Sequence, residues 1–365
     1  MNILIYTNAL TAGGVESLLL NTISEADNNN YHFDLMSFSD APNDWAYKFE
    51  EIGCSVYHMS SPGKLGFIKS ILECRKFFKQ GNYDVIHCQN GFGGIIPLIA
   101  NFSLVGHKAS FICHSHYDNY PFSNMTKKII RLFFNIIPCK KLACSYGAGY
   151  ELYGKRSNFI WLKNGIDTSR FSFNEHVRME VKKELGLSTS EFVIGTVGRM
   201  EFQKNHEFLI RLFSIVSQHQ HNSRLILIGD GELRGDIKSQ VDELKLEDKV
   251  MFLGKRNDVY RLLQALDVFI MPTRFEGLSL ALLEVQCSGL PCLTSDRVPP
   301  EAKILENFEM LPLERGEAFW SDRVLSYIGK KRQDGAPYVR KAGFDKVEAA
   351  KAWLGVYDAL IDKNK

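Results

Sequence analysis

TRFEGLSLALLEVQCSGLPCLTSD, residues 273–296, follows the short run DVFIMP at 267–272 and decides how the chain is read. DVFIMP is β-branched and aromatic and ends at Pro272, the profile of a strand buried in a parallel sheet. Glu276-Gly277-Leu278-Ser279 supplies the loop after it, with Ser279 as a helix cap, and Leu280 to Gln286 are good or tolerable helix formers. A helix starting there aims its N-terminal amides and the positive end of its dipole beyond the strand's carboxyl end, which suits an anion such as a diphosphate. Glu276 in the loop and Glu284 in the helix can reach one ligand from neighbouring directions. Carboxylates accept hydrogen bonds from hydroxyls, in which sugars are rich.

A diphosphate flanked by two hydroxyl-binding carboxylates describes a nucleotide sugar better than ATP, whose γ-phosphate they would repel. A glutamate pair at this spacing alone is an ordinary surface loop and amphipathic helix. With the strand, the proline and EGL before it, however, the pair resembles the donor-site signature of retaining GT-B glycosyltransferases, in particular glycosyltransferase family four. The resemblance implies Glu276 on the donor sugar's hydroxyls and Glu284 on the ribose. It further implies that the backbone around Gly277, Leu278, Ser279 and Leu280 meets the sugar and phosphate.

Working outward, Phe192 to Val197 is expected to open a second sheet, with Gly198-Arg199 and Lys204-Asn205 directly after it. Fixed cations at such a turn stabilise the charge growing on a departing nucleoside diphosphate. VGR followed by K-N also matches the diphosphate-binding pair of the family, so Arg199 and Lys204 are the candidates. Gly229-Asp230-Gly231 ends the next strand, and Gly254 leads to a loop at Lys255 to Val259 where the family binds the nucleobase, with Arg256 as a candidate side chain. Asn164-Gly165-Ile166-Asp167, a string that recurs in the family, marks the crossing between domains.

In the first half, Asn2 to Tyr6 is a short strand, followed by Thr11-Ala12-Gly13-Gly14-Val15-Glu16 and a helix-like run. Adjacent glycines let the backbone approach a ligand; alone they are equally a tight turn. The family carries a GG-x-E loop here, which implies Gly13 and Gly14 at the donor. FDLMSF, SVYHM, DVIHCQ, ASFICHSH and KLACS recur between helical stretches, the pattern of a doubly wound parallel sheet. His114-Ser115-His116 ends one of these strands, at the edge where open α/β sheets bind ligands. His87 and His114 read as structural residues, whereas His116 resembles the cleft histidine of the family and is expected to orient the sugar. Residues 127–141 are basic, bulky and apolar, with no acid between Asp118 and Glu151. That segment fits either an anionic membrane surface or a core helix with a solvated rim.

A length of 365 residues suits two domains, and 45% hydrophobic with 24% charged residues describes a chain folded throughout. A net charge of +2 offers no nucleic-acid signature. Eight cysteines without C-x-x-C pairs read as reduced core residues, and no apolar run approaches the roughly 20 residues that cross a bilayer. Together these readings give a cytoplasmic, α/β, GT-B protein of two Rossmann-like domains facing a cleft. Residues 1–168 form the acceptor domain, with a terminal helix at about 346–365 packing back on it, and 169–345 form the donor domain. The expected activity is metal-independent, retaining transfer from a UDP-sugar to a glycan or lipid-linked hydroxyl, without a cofactor. A GT-B-shaped nucleotide-sugar epimerase and a non-catalytic sugar-nucleotide-binding protein are the alternatives.

Overall fold

A computed structural model describes residues 1–8, 10, 13–27, 29–38, 43–106, 108–118, 120 and 122–361, so Thr11, Ala12 and residues 362–365 lie outside the described residues. The chain forms two compact units, one of Met1–Gly165 with the chain from Lys346 onward, the other of Ile166–Asp345. The crossing thus falls inside NGID, three residues before the boundary read from the sequence. Local bonds explain the shift: Ile166 N donates to Phe344 O at 2.9 Å, and the Thr168 hydroxyl donates to Asp345.

The first unit holds a parallel sheet of β1 (Asn2–Tyr6), β2 (His32–Ser37), β3 (Ser55–His58), β4 (Val85–Cys88), β5 (Ser110–Ser115), β6 (Lys140–Ala143) and β7 (Ile160–Trp161). Its order is β3-β2-β1-β4-β5-β6-β7. The second holds β8 (Phe192–Val197), β9 (Ser223–Ile228), β10 (Val250–Gly254), β11 (Val268–Met271), β12 (Cys292–Ser295) and β13 (Phe308–Leu311), in the order β10-β9-β8-β11-β12-β13. Helices cover both faces, so central strands such as β4 and β11 are buried along their whole length and need apolar residues at every position. In each sheet the order reverses beside the first strand, between β1 and β4 and between β8 and β11. The loops leaving these neighbours diverge and open a crevice at the carboxyl edge, which is where such sheets bind ligands.

Five helices bear on function: α1 (Gly14–Ile23), α2 (Asn124–Ile136), α3 (Tyr146–Tyr153), α4 (Leu280–Cys287) and α5 (Lys346–Ile361). Terminal helix α5 belongs to the first unit, where Lys346 pairs with Glu25 at 2.9 Å and Tyr31 donates to Asp358 at 2.9 Å. Its buried Trp353 and Tyr357 pack on His87 and His114, whose rings stack 5.4 Å apart. Both histidines are therefore interior packing residues.

Helix α2 packs on the core of the first unit through buried Phe134 and partly buried Ile130. Of its residues only Phe134 is buried, while Met125, Ile129, Leu132 and Ile136 are exposed at the 4, 3, 4 spacing of a single helical stripe. Two of its cations face the protein: Lys127 and Arg131 pair with Glu151 of α3 at 2.6 and 3.1 Å. All eight cysteines are free thiols, and no helix among the described residues is long and apolar enough to cross a membrane.

Candidate active site

In the second unit the site grows from the turns after β8 and β11. Gly198 follows β8, and a Cβ on it would lie 3.3 Å from Lys204 Cε, so the lysine stem runs back across the glycine. The turn after β9 packs backbone against backbone on the same loop: a Cβ at Gly229, where φ is +137°, would meet Gly198 O at 2.0 Å, and one at Gly231 would meet Met200 O at 2.5 Å. Only glycine permits that approach.

Hydrogen bonds tie the β8 turn to the β11 turn. Asn205, in the left-handed region at φ 56°, donates through Nδ2 to Pro272 O at 3.0 Å and accepts from Arg274 Nη2 at 2.8 Å. Thr273 Oγ1 and Arg274 N both donate to Gln203 O, at 2.9 and 2.8 Å, and Gln203 Nε2 donates to Phe275 O at 3.0 Å. The Arg274 guanidinium lies 4.1 Å from the Phe202 ring centroid. Within this frame Lys204 Nζ and Glu276 Oε2 form an ion pair, their side chains only 16% and 13% exposed. The two strands that carry them flank the switch point of the sheet.

Helix α4 begins directly after this pair. Ser279 occupies its N-cap position in extended geometry, but the hydroxyl accepts no capping hydrogen bond, contrary to the sequence reading. The first-turn amides therefore lack the side-chain partner that a capping serine would give them. Leu278 and Leu280 are buried and anchor the turn. Farther along, Glu284 keeps part of its surface open to solvent, yet burial among its neighbours pushes its carboxyl up to about 7, against the lowering influence of Arg170. It can gain or lose a proton near neutrality.

Arg199 and Arg256 make ion pairs within their own turns. Arg199 is 57% exposed and pairs with Glu201 at 3.0 Å, so it does not join Lys204 on Glu276. Arg256 makes two hydrogen bonds of 2.7 Å to Asp258 in its own loop, a bidentate fit on an exposed side chain.

In the first unit, Gly13 is extended at the start of α1, and a Cβ on Gly14 would have nothing within 4 Å among the described residues. The fold itself does not need glycine at that position. His116, beyond β5, is buried and donates from Nε2 to Gln89 Oε1 at 2.6 Å; its ring lies 4.2 Å from that of His114. Burial lowers its pKa to about 4, so the ring is neutral and Nδ1 is an acceptor. Gln89, which directly follows β4, was missed in the sequence, where only its polarity at the end of VIHC stood out. Its buried Nε2 has no hydrogen-bond partner among the described residues. Among those residues no group of three or more His, Cys, Asp or Glu is placed to hold a metal.

Residues 177–319 match the glycosyl transferases group 1 family. Over 98% of the chain it is 27% identical to the putative glycosyltransferase EpsF of Bacillus subtilis, covering 96% of that protein. Over 63% of the chain it is 30% identical to the Escherichia coli UDP-Gal:alpha-D-GlcNAc-diphosphoundecaprenol alpha-1,3-galactosyltransferase, covering 62% of it. The crystal structure of Anabaena HepE in complex with UDP and glucose superposes with a TM-score of 0.81 at 20% identity, covering 98% of this chain and 99% of that one. The two Rossmann-like sheets are those of the GT-B fold.

Proposed function

We propose that this chain, whose residues 177–319 form a glycosyl transferases group 1 domain, moves a sugar from a UDP-sugar to a hydroxyl of a glycan or lipid-linked acceptor, with retention at the anomeric carbon. The observation that carries the proposal is the partly buried Lys204–Glu276 pair at the switch point, beside the start of α4. When the donor enters, Lys204 exchanges Glu276 for the diphosphate, and Glu276 turns to the donor sugar's hydroxyls. Glu284 accepts from the ribose, Gly14 leaves room for the ligand, and Nδ1 of the neutral His116 accepts from a sugar hydroxyl. The bond from the anomeric carbon to the phosphate oxygen breaks as the acceptor oxygen bonds on the same face. The acceptor's proton passes to the departing phosphate. Lys204, Arg199 and the first-turn amides of α4 supply positive charge where negative charge grows, without a metal.

The diphosphoundecaprenol in the name of the Escherichia coli relative supports a lipid-linked acceptor, and the UDP in the Anabaena complex supports the nucleotide. Exposed Lys128 and the stripe Met125, Ile129, Leu132 and Ile136 fit an anionic membrane surface. A basic residue there contributes about 1 kcal/mol. The test is a thermal-shift panel of UDP, ADP, GDP and UDP-sugars, in which a ligand at about 100 times its Kd adds about 2.7 kcal/mol of stability. No stabilisation by UDP or any UDP-sugar overturns the donor assignment. An inverted anomeric product by NMR overturns retention.

A further inference from the structure

We infer that a polar cavity in the first unit, lined by Asp118, Arg131, Gly147, Tyr150, Glu151 and Lys155, receives the saccharide head of the acceptor; this inference rests on the transferase reading above. Its volume of about 570 Å³ lies within the ~300–1,000 Å³ of small-molecule sites. It also lies where an open parallel sheet presents ligand sites: Asp118 comes two residues after His116 beyond β5, and Gly147 stands in the first turn of α3, which follows β6.

The lining specifies the ligand class. Glu151 is held by Lys127 at 2.6 Å and by Arg131, which donates from Nε to Glu151 O at 2.9 Å and from Nη2 to Oε2 at 3.1 Å. The wall is therefore a fixed array of donors and acceptors, and a carboxylate with about four lone-pair sites keeps capacity beyond those two cations. Exposed Tyr150 adds an aromatic face with a polar tip. A phosphate in this cavity would meet the carboxylates of Asp118 and Glu151, and an apolar group would face charge on most sides. A ligand dense in hydroxyls, with apolar C–H faces between them, satisfies the donors, the acceptors and the ring together.

Placement beside α2 identifies what carries that saccharide. At about 100° per residue, exposed Lys128 lies roughly 60° around the helix from Arg131, and Leu132 of the apolar stripe roughly 100°. The order around the helix is thus cavity wall, lone lysine, apolar stripe. An acceptor anchored in a membrane under that stripe presents its sugar to the cavity past a cation suited to an anionic linker.

Saturation-transfer NMR of the full-length protein with UDP tests this, using methyl glycosides of glucose, galactose and N-acetylglucosamine as probes. At least one glycoside should show transfer. The signal should be lost in Gly147→Leu, whose side chain starts 3.5 Å from Asp118 Cβ and fills the cavity, and in Tyr150→Ala. The UDP thermal shift should be unchanged in both variants, which also reports that they fold. Absence of transfer from every glycoside in the unaltered protein, or full signal in a folded Gly147→Leu, overturns the subsite. Absence of a UDP shift in the unaltered protein instead overturns the donor reading, so the two failures are separable.

Discussion

Replacing Glu276 by Gln should strengthen the binding of UDP while weakening use of the UDP-sugar. Lys204 is held by Glu276, and both side chains are too buried for water to screen the pair fully. UDP must break that contact to reach the lysine. A hydrogen bond to a charged group is worth roughly 1.5–3 kcal/mol, and a neutral amide oxygen accepts about half as strongly. Glu276→Gln therefore returns about 1–1.5 kcal/mol to UDP, a Kd about five- to tenfold tighter. The donor sugar, however, loses its carboxylate acceptor, and kcat/KM for transfer should fall by roughly 10- to 100-fold. Lys204→Met should act in the opposite direction on UDP, weakening it about tenfold or more. Isothermal titration with UDP and steady-state kinetics on the three proteins give both quantities. If UDP binds Glu276→Gln more weakly than the unaltered protein, or binds Lys204→Met equally well, the exchange of partners at Lys204 is wrong.

Glu284 predicts a pH dependence. Its folded carboxyl is raised to about 7, above its unfolded value, so the unfolded chain releases the proton first and stability falls as pH rises from about 4.5 to 7. Thermal melts of Glu284→Gln should show that fall removed, with the variant gaining on the parent across this window and no further above it. Gln89→Leu leaves the buried His116 Nε2–H without its acceptor, costing about 1–3 kcal/mol in thermal stability. Transfer should drop in this variant while UDP binding, measured by titration, stays constant. Gly14→Ala should leave the melting temperature unchanged, because none of the described residues lies within 4 Å of the new methyl. A fall in kcat/KM for the UDP-sugar at equal stability would then assign that space to the ligand. Ile129→Asp with Ile136→Asp, placing two charges on the exposed stripe of α2, should cut sedimentation with anionic vesicles at least tenfold and leave UDP binding alone.

The parallel strands were legible because burial on both faces forces near-continuous apolar runs such as VFIM and VIHC, which few loops imitate. β13 escaped because FEML is four residues long and interrupted by a glutamate, which Arg323 and Tyr327 satisfy from farther along the chain. Charge was the least legible property. The window from 119 to 150 holds no acid, so its cations read as solvent-facing, yet Glu151, the next residue along, takes two of them. That pairing is invisible to composition, because whether a side chain turns inward is decided by the helix face that holds it. Gln89 was missed for a different reason: its contact with His116 spans 27 residues and depends on β4 and β5 being neighbours.

The convergence of Lys204 and Glu276 was nonetheless inferable across a separation of 72 residues, and the reason is topological. Once β8 is the first strand of a doubly wound sheet, right-handed crossovers carry the chain outward to β10, and return on the other side brings β11 back beside β8. The turns after those two strands must then face one another whatever residues fill them. Sequence has only to supply a cation in one, an acid in the other, and enough backbone-directed bonds to stiffen both, which Asn205, Gln203 and Thr273 provide. Those bonds end largely on carbonyls, and carbonyls are present at every position. The frame therefore tolerates extensive replacement of side chains elsewhere, as the superposition at 20% identity requires. What it cannot tolerate is a side chain at Gly229 or Gly231, where the third turn leans on the first with no space for a methyl.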